Sequence, residues 1–80
     1  MRLAEIQAFL KSHRTPYTYW EEDGCGSIEF QHRGLSYHIW EYPPDEPGAQ
    51  SNVRCAGRQE DFGPGYETEI LEILKNWSEI

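Results

Sequence analysis

From Tyr17 to Tyr42 apolar and polar residues alternate with a period of two, and two glycine-bearing pairs, Asp23-Gly24 and Arg33-Gly34, interrupt the run. Alternation of this kind marks strands with one buried face. Asp-Gly is a favoured two-residue hairpin loop, because a type I′ turn needs positive φ at both central residues. Arg-Gly is a weaker version, since arginine resists positive φ. Folding the chain back at both turns pairs Glu22 with Cys25, Trp20 with Ser27, Thr18 with Glu29 and Tyr17 with Phe30. It also pairs His32 with Leu35, Phe30 with Tyr37, Glu29 with His38, Ile28 with Ile39, Ser27 with Trp40 and Cys25 with Tyr42. One face then carries Tyr17, Tyr19, Ile28, Phe30, Leu35, Tyr37 and Ile39. The other carries Thr18, Trp20, Glu22, Cys25, Ser27, Glu29, Gln31, Ser36, His38, Trp40 and Tyr42. A slip of one residue would mix the two sets.

Spacing of three and four takes over at the ends of the chain. Leu3, Ile6, Phe9 and Leu10 predict a helix over residues 2–13, stopped by Pro16. Ile70, Leu71, Ile73, Leu74 and Trp77 predict a second over 66–79. Gly63-Pro64-Gly65 punctuates its start, and Glu67 and Glu69 suit its positive end. Residues 43–50 (PPDEPGAQ) read as a loop. Residues 51–57 (SNVRCAG) read as a fourth strand, with Val53 and Cys55 sharing a face, and residues 58–65 as another loop. The predicted order is α-β-β-β-β-α. This is a single α+β domain over 1–80, its mostly antiparallel four-stranded sheet packed with two terminal helices. The simplest packing lays both helices on the apolar sheet face.

Composition narrows the function classes. Fourteen acids against seven bases give a formal charge of −7. That argues against nucleic-acid backbone binding as the main activity and against an anionic membrane surface. A basic or amphipathic peptide or protein suits the charge better. Two cysteines without CxxC spacing do not make a disulfide framework. No apolar run is long enough for a membrane span. The expectation is a cytoplasmic protein with reduced thiols.

The candidate site is the mixed face. Trp20, Ser27 and Trp40 fall in one cross-strand row, two indoles flanking a small serine. Glu22, Cys25 and Tyr42 form the next row, and Thr18, Glu29 and His38 the row beyond. Indole faces rimmed by carboxylates attract cations through the ring quadrupole and the nearby negative charge. The same pair of indoles can equally serve as a cross-strand stabilising contact. A homodimer built on this face or on a free sheet edge is an alternative, and a small thiol-dependent enzyme at Cys25 a second. Against the enzyme, Glu22 and Asp23 disfavour a thiolate, and His38 shares the face but lies two rows away. Neither a metal site nor a cofactor is expected: His32 and His38 fall on opposite faces, and HxxxH spacing is absent. His13, at a helix end, is explained by a charge–dipole contact, and Arg54 with Arg58 makes at most a small basic spot.

In the layout of its GLSYHIWEY strand, SNVRCAG segment and FGPGYETEILEIL helix, the chain resembles small bacterial orphan proteins of helix–sheet–helix architecture. The resemblance spans most of the chain. It implies an α+β fold and no functional residue.

Overall fold

In a computed structural model, which describes residues 2–78, seven elements follow one another. They are α1 (Ala4–Ser12), β1 (Tyr17–Glu22), β2 (Cys25–His32), β3 (Leu35–Glu41), β4 (Ala49–Cys55), β5 (Arg58–Phe62) and α2 (Tyr66–Ser78). The strands form one antiparallel sheet in the order β1-β2-β3-β4-β5, so each strand lies beside its neighbour in sequence. The architecture is α+β.

Both hairpin turns form as the alternation requires. Asp23 and Gly24 have φ of 51° and 78°, and Arg33 and Gly34 have 53° and 80°. The left-handed conformation at Arg33 is a local cost that glycine or asparagine would largely avoid. The register is Tyr17↔Phe30, Trp20↔Ser27 and Glu22↔Cys25 in the first hairpin, and Glu29↔His38, Ile28↔Ile39 and Ser27↔Trp40 in the second. One expected pair is absent. Cys25 and Tyr42 do not pair, because the β2–β3 ladder ends at Ser27↔Trp40. Beyond it, the Glu41 side chain accepts the Gly26 N–H at 2.7 Å. Tyr42 donates its own N–H to the Gly48 carbonyl instead, at 3.0 Å.

Further expectations change. The sheet has five strands, not four: Arg58–Phe62, read as a loop, is β5. Its five residues carry one inward apolar side chain, Phe62, so alternation gives almost no signal. Pairing with β4 across the Ala56-Gly57 turn makes the strand. The fourth strand begins at Ala49 rather than at residue 51, and its register shifts between Ser51 and Cys55. That shift leaves Cys55 exposed while Val53 is buried, so the two do not share an environment. Leu35, assigned to the apolar face, sits at its margin and is 50% exposed. Helix α1 starts at Ala4 because Leu3 takes φ 52°, which leaves Arg2 outside the helix. The predicted last residue of the second helix, Glu79, lies outside the described residues.

Both helices cover the same face. Leu3, Ile6 and Leu10 meet Ile70 and Leu74 over Ile28, Phe30, Tyr37, Ile39, Ala49, Val53 and Phe62 in one core cluster. Trp77 closes one end, tilted against Phe30 and Tyr37 at centroid distances of 6.2 and 4.6 Å and stacked on His32 at 5.0 Å. Tertiary packing of these stripes, more than intrinsic helix propensity, holds two such short helices.

At Gly48 the backbone needs glycine. Its φ is +155°, and a β-carbon there would collide with the Phe62 carbonyl oxygen. That close approach seats the start of β4 against the end of β5.

Candidate functional site

With both helices on one side, the opposite face of the sheet stays open. The row Trp20–Ser27–Trp40 forms as expected and continues through Gln50 to Asp61. Trp20 is 37% exposed. Trp40 is half-buried, its ring stacked on His38 at 4.0 Å and 27°. The next row departs from expectation. Tyr42 lies past the end of β3 and donates its hydroxyl to the Asp61 carboxylate, a contact that raises its pKa. Asp61 and the Gln59 amide therefore belong to this surface, although neither was singled out. Both sit on β5, whose sequence hides its strand character.

In the third row, Thr18, Glu29 and His38 are cross-strand neighbours. His38 is the least solvated of them. Burial pushes its pKa below the ordinary histidine value, against the opposing pull of a Gln59 hydrogen bond and the Glu29 charge. The imidazole is therefore neutral at pH 7. Its Nε2 and the Trp40 Nε1 are buried without a hydrogen-bond partner. Glu29 and His38 are directly opposite each other on neighbouring strands. Around them lies a shallow depression of about 570 Å³, lined by Thr18, Glu29, Gln31, Ser36 and His38 on the open face and by Pro16, Tyr17, Phe30 and Tyr37.

Charge on the open face has one sign. Glu22, Glu29 and Asp61 occupy it at alternating positions. Among the described residues every lysine and arginine lies in a helix, in a loop or, like Arg58, at a strand position of the opposite parity, except Arg54, which the register shift in β4 turns to the helix side. Arg54, one half of the expected basic spot, is held by Glu60 at 2.8 Å and Glu69 at 3.3 Å on the helix side.

Cys25, the candidate thiol, is half-buried, and its described hydrogen bond is a long one to the Asp23 carbonyl, at 3.9 Å. Its Sγ donates there, and among the described hydrogen bonds none joins it to a side-chain base that would take its proton. Among the described residues no three His, Cys, Asp or Glu side chains group as metal ligands would. No helix among them is long and apolar enough to cross a membrane. At the end of α1, His13 places Nδ1 3.0 Å from the Phe9 carbonyl and stacks its ring on Phe9 at 4.1 Å.

No family model, curated protein or solved structure matches the chain.

One polar cluster escaped the sequence reading altogether. Glu41, on the helix-covered face, is only 8% exposed. Its carboxylate accepts from the Arg2 guanidinium, the Tyr66 hydroxyl and the Gly26 N–H. Burial alone would raise the Glu41 pKa, but these donors and the Arg2 charge more than reverse it, and the net direction is down. Tyr66 is pushed up, by burial first and by the carboxylate second. Gly26 is required by the crowding: a β-carbon there would stand 3.0 Å from the Arg2 Cβ and 3.1 Å from Glu41 Oε1. Tyr19 accepts the Arg2 backbone N–H at 2.9 Å through its hydroxyl. Parity along β3 places Glu41 among apolar residues. Only the arrival of Arg2, Tyr66 and Gly26 from three other segments explains a carboxylate there. Through these contacts it ties the N-terminal segment and the start of α2 to the sheet.

Proposed function

We propose that the protein is a binding module whose open sheet face takes a basic, amphipathic peptide segment of a protein partner. The observation that carries the reading is the charge segregation of that face. Two indoles stand there with Glu22, Glu29 and Asp61, and among the described residues no lysine or arginine of β1–β5 is turned to that side. Trp20 offers an exposed ring for an apolar or cationic side chain, and the carboxylates beside it favour lysine or arginine. The depression at Thr18, Glu29 and His38 gives such a chain a place to lie. A binding role uses the arrangement as it stands and calls on no bond-making step by the hydroxyls or the thiol of this face.

The test uses an amphipathic helical peptide of leucine and lysine, titrated while tryptophan emission is followed. Binding should shift the emission and weaken as salt rises. Trp20→Ala should lower affinity about tenfold, the scale of one cation–π contact that becomes desolvated on binding. Glu22→Gln with Glu29→Gln should flatten the salt dependence. Equal binding of a leucine–glutamate peptide, or affinity indifferent to these substitutions, would refute the reading.

A further inference from the structure

The sheet is open at both edges, and the two edges differ. β5 carries Arg58, Gln59, Glu60 and Asp61, and its ladder with β4 contains a register shift. Charged, irregular edges resist pairing with another chain. β1 reads Tyr17-Thr18-Tyr19-Trp20 before its two acids, with no shift in its ladder and no charge in its first four residues.

The unpaired groups of β1 follow from its register. Glu22 and Cys25 flank a two-residue turn, so they exchange both backbone hydrogen bonds, and the pairs Trp20↔Ser27 and Thr18↔Glu29 do the same. The N–H and C=O of Tyr17, Tyr19 and Glu21 therefore point outward, away from β2. Among the described residues they have no backbone partner.

Charge runs along this edge in one direction. Lys11 and Arg14 precede the strand, and Glu21, Glu22 and Asp23 end it. Lys11 and Arg14 also line a groove of about 530 Å³ between α1 and β1, with Gln7, Thr15, Tyr17 and Tyr19. An edge whose ends carry opposite charge is complementary to itself when two copies run antiparallel.

We infer that β1 pairs with β1 of a second copy of this chain about a twofold axis at Tyr19, joining two five-stranded sheets into one. In the register Tyr19↔Tyr19, Tyr17↔Glu21 and Thr18↔Trp20, every outward N–H and C=O of both strands finds a partner. A shift of two residues leaves either Glu21 or Tyr17 without a strand partner, depending on its direction. The same register sets Glu21 of the second copy, on the helix side, beside Tyr17 and the Lys11–Arg14 groove. The Glu22 and Asp23 of that copy come opposite Pro16 and Thr15, next to Arg14. The open faces of the two copies become continuous, with Trp20 of each beside Thr18 of the other. The dimer does not depend on the proposed peptide binding, and it is tested without any peptide.

Sedimentation velocity near physiological salt, where the −7 charge of each copy is screened beyond about 8 Å, reads the oligomeric state. A concentration-dependent dimer is expected below roughly 1 mM. In the dimer, amide exchange at Tyr17, Tyr19 and Glu21 should slow at least tenfold relative to the dilute protein. Glu21→Lys and Lys11→Glu should each stay folded by circular dichroism and be monomeric at a concentration where the wild type is dimeric. Mixing the two variants should restore a dimer, since the two introduced charges are opposite and face each other while Glu22 and Asp23 still face Arg14. A monomer throughout the concentration range would overturn the inference. So would a dimer in which those three amides exchange as fast as in the dilute protein, or a mixture that stays monomeric.

Discussion

Replacing Glu41 should cost this domain a large part of its stability. In Glu41→Ala, the buried Gly26 N–H loses its acceptor, which costs about 1–3 kcal/mol for an unsatisfied buried donor. Tyr66 is half-buried and recovers part of its loss from water, so roughly 1 kcal/mol is assigned to it. Arg2, with 41% of its side chain exposed, rehydrates readily, and its share is at most about 1 kcal/mol. The sum is about 3 kcal/mol, against a total of roughly 4–12 kcal/mol for a chain of this length. Glu41→Gln keeps the shape and one acceptor oxygen and should cost about 1 kcal/mol. Urea unfolding followed by far-ultraviolet circular dichroism measures both. With a slope near 1 kcal/mol per molar, the alanine variant should shift its midpoint down by about 3 M, and the glutamine variant by about 1 M. Acid adds a second reading. The folded-state pKa of Glu41 lies below its unfolded value, so the unfolded chain binds the proton more readily. The contribution of this carboxylate is therefore complete above about pH 4.3 and is lost as pH falls through the lower folded value. Glu41→Gln should flatten that part of the stability curve. An alanine variant within about 0.5 M of the wild-type midpoint, or an acid slope that the glutamine variant leaves unchanged, would refute the argument that this carboxylate ties the segments together.

Other outcomes follow from single positions. Gly48→Ala should destabilise by about 3 kcal/mol or more, because a β-carbon meets the Phe62 backbone at a left-handed φ; thermal melting tests it, and a wild-type melting temperature would count against the seating of β4 on β5. Arg33→Asn should stabilise by about 0.5–1 kcal/mol by relieving the positive φ, raising the melting temperature by several degrees, and no rise would show that the turn is unstrained. Titrated by proton NMR, His38 should protonate below the ordinary histidine value, so its neutral form adds stability that is present above about pH 6.5 and lost as the pH drops below it; a midpoint at or above 6.5 would mean the ring is more solvated than its stack on Trp40 indicates.

The first three strands were legible because everything that specifies them is local. Asp23-Gly24 and Arg33-Gly34 fix two turns, and each turn fixes its register within a few residues on either side. Alternation then sorts Ile28, Phe30 and Ile39 from Trp20, Ser27 and Trp40 with no reference to the rest of the chain. The helix stripes were legible for the same reason, since Ile6 and Leu10 or Ile70 and Leu74 lie one turn apart. What the local pattern could not contain was anything that depends on distant partners. Arg58–Phe62 becomes a strand only because β4 offers it a ladder, and with it Asp61 joins the open face. Tyr42 left its expected place because Glu41 took the Gly26 N–H, a choice governed by Arg2 and Tyr66 from opposite ends of the chain. Nearest-neighbour geometry is written in consecutive residues, whereas the satisfaction of a buried charge is decided only when packing brings its donors together.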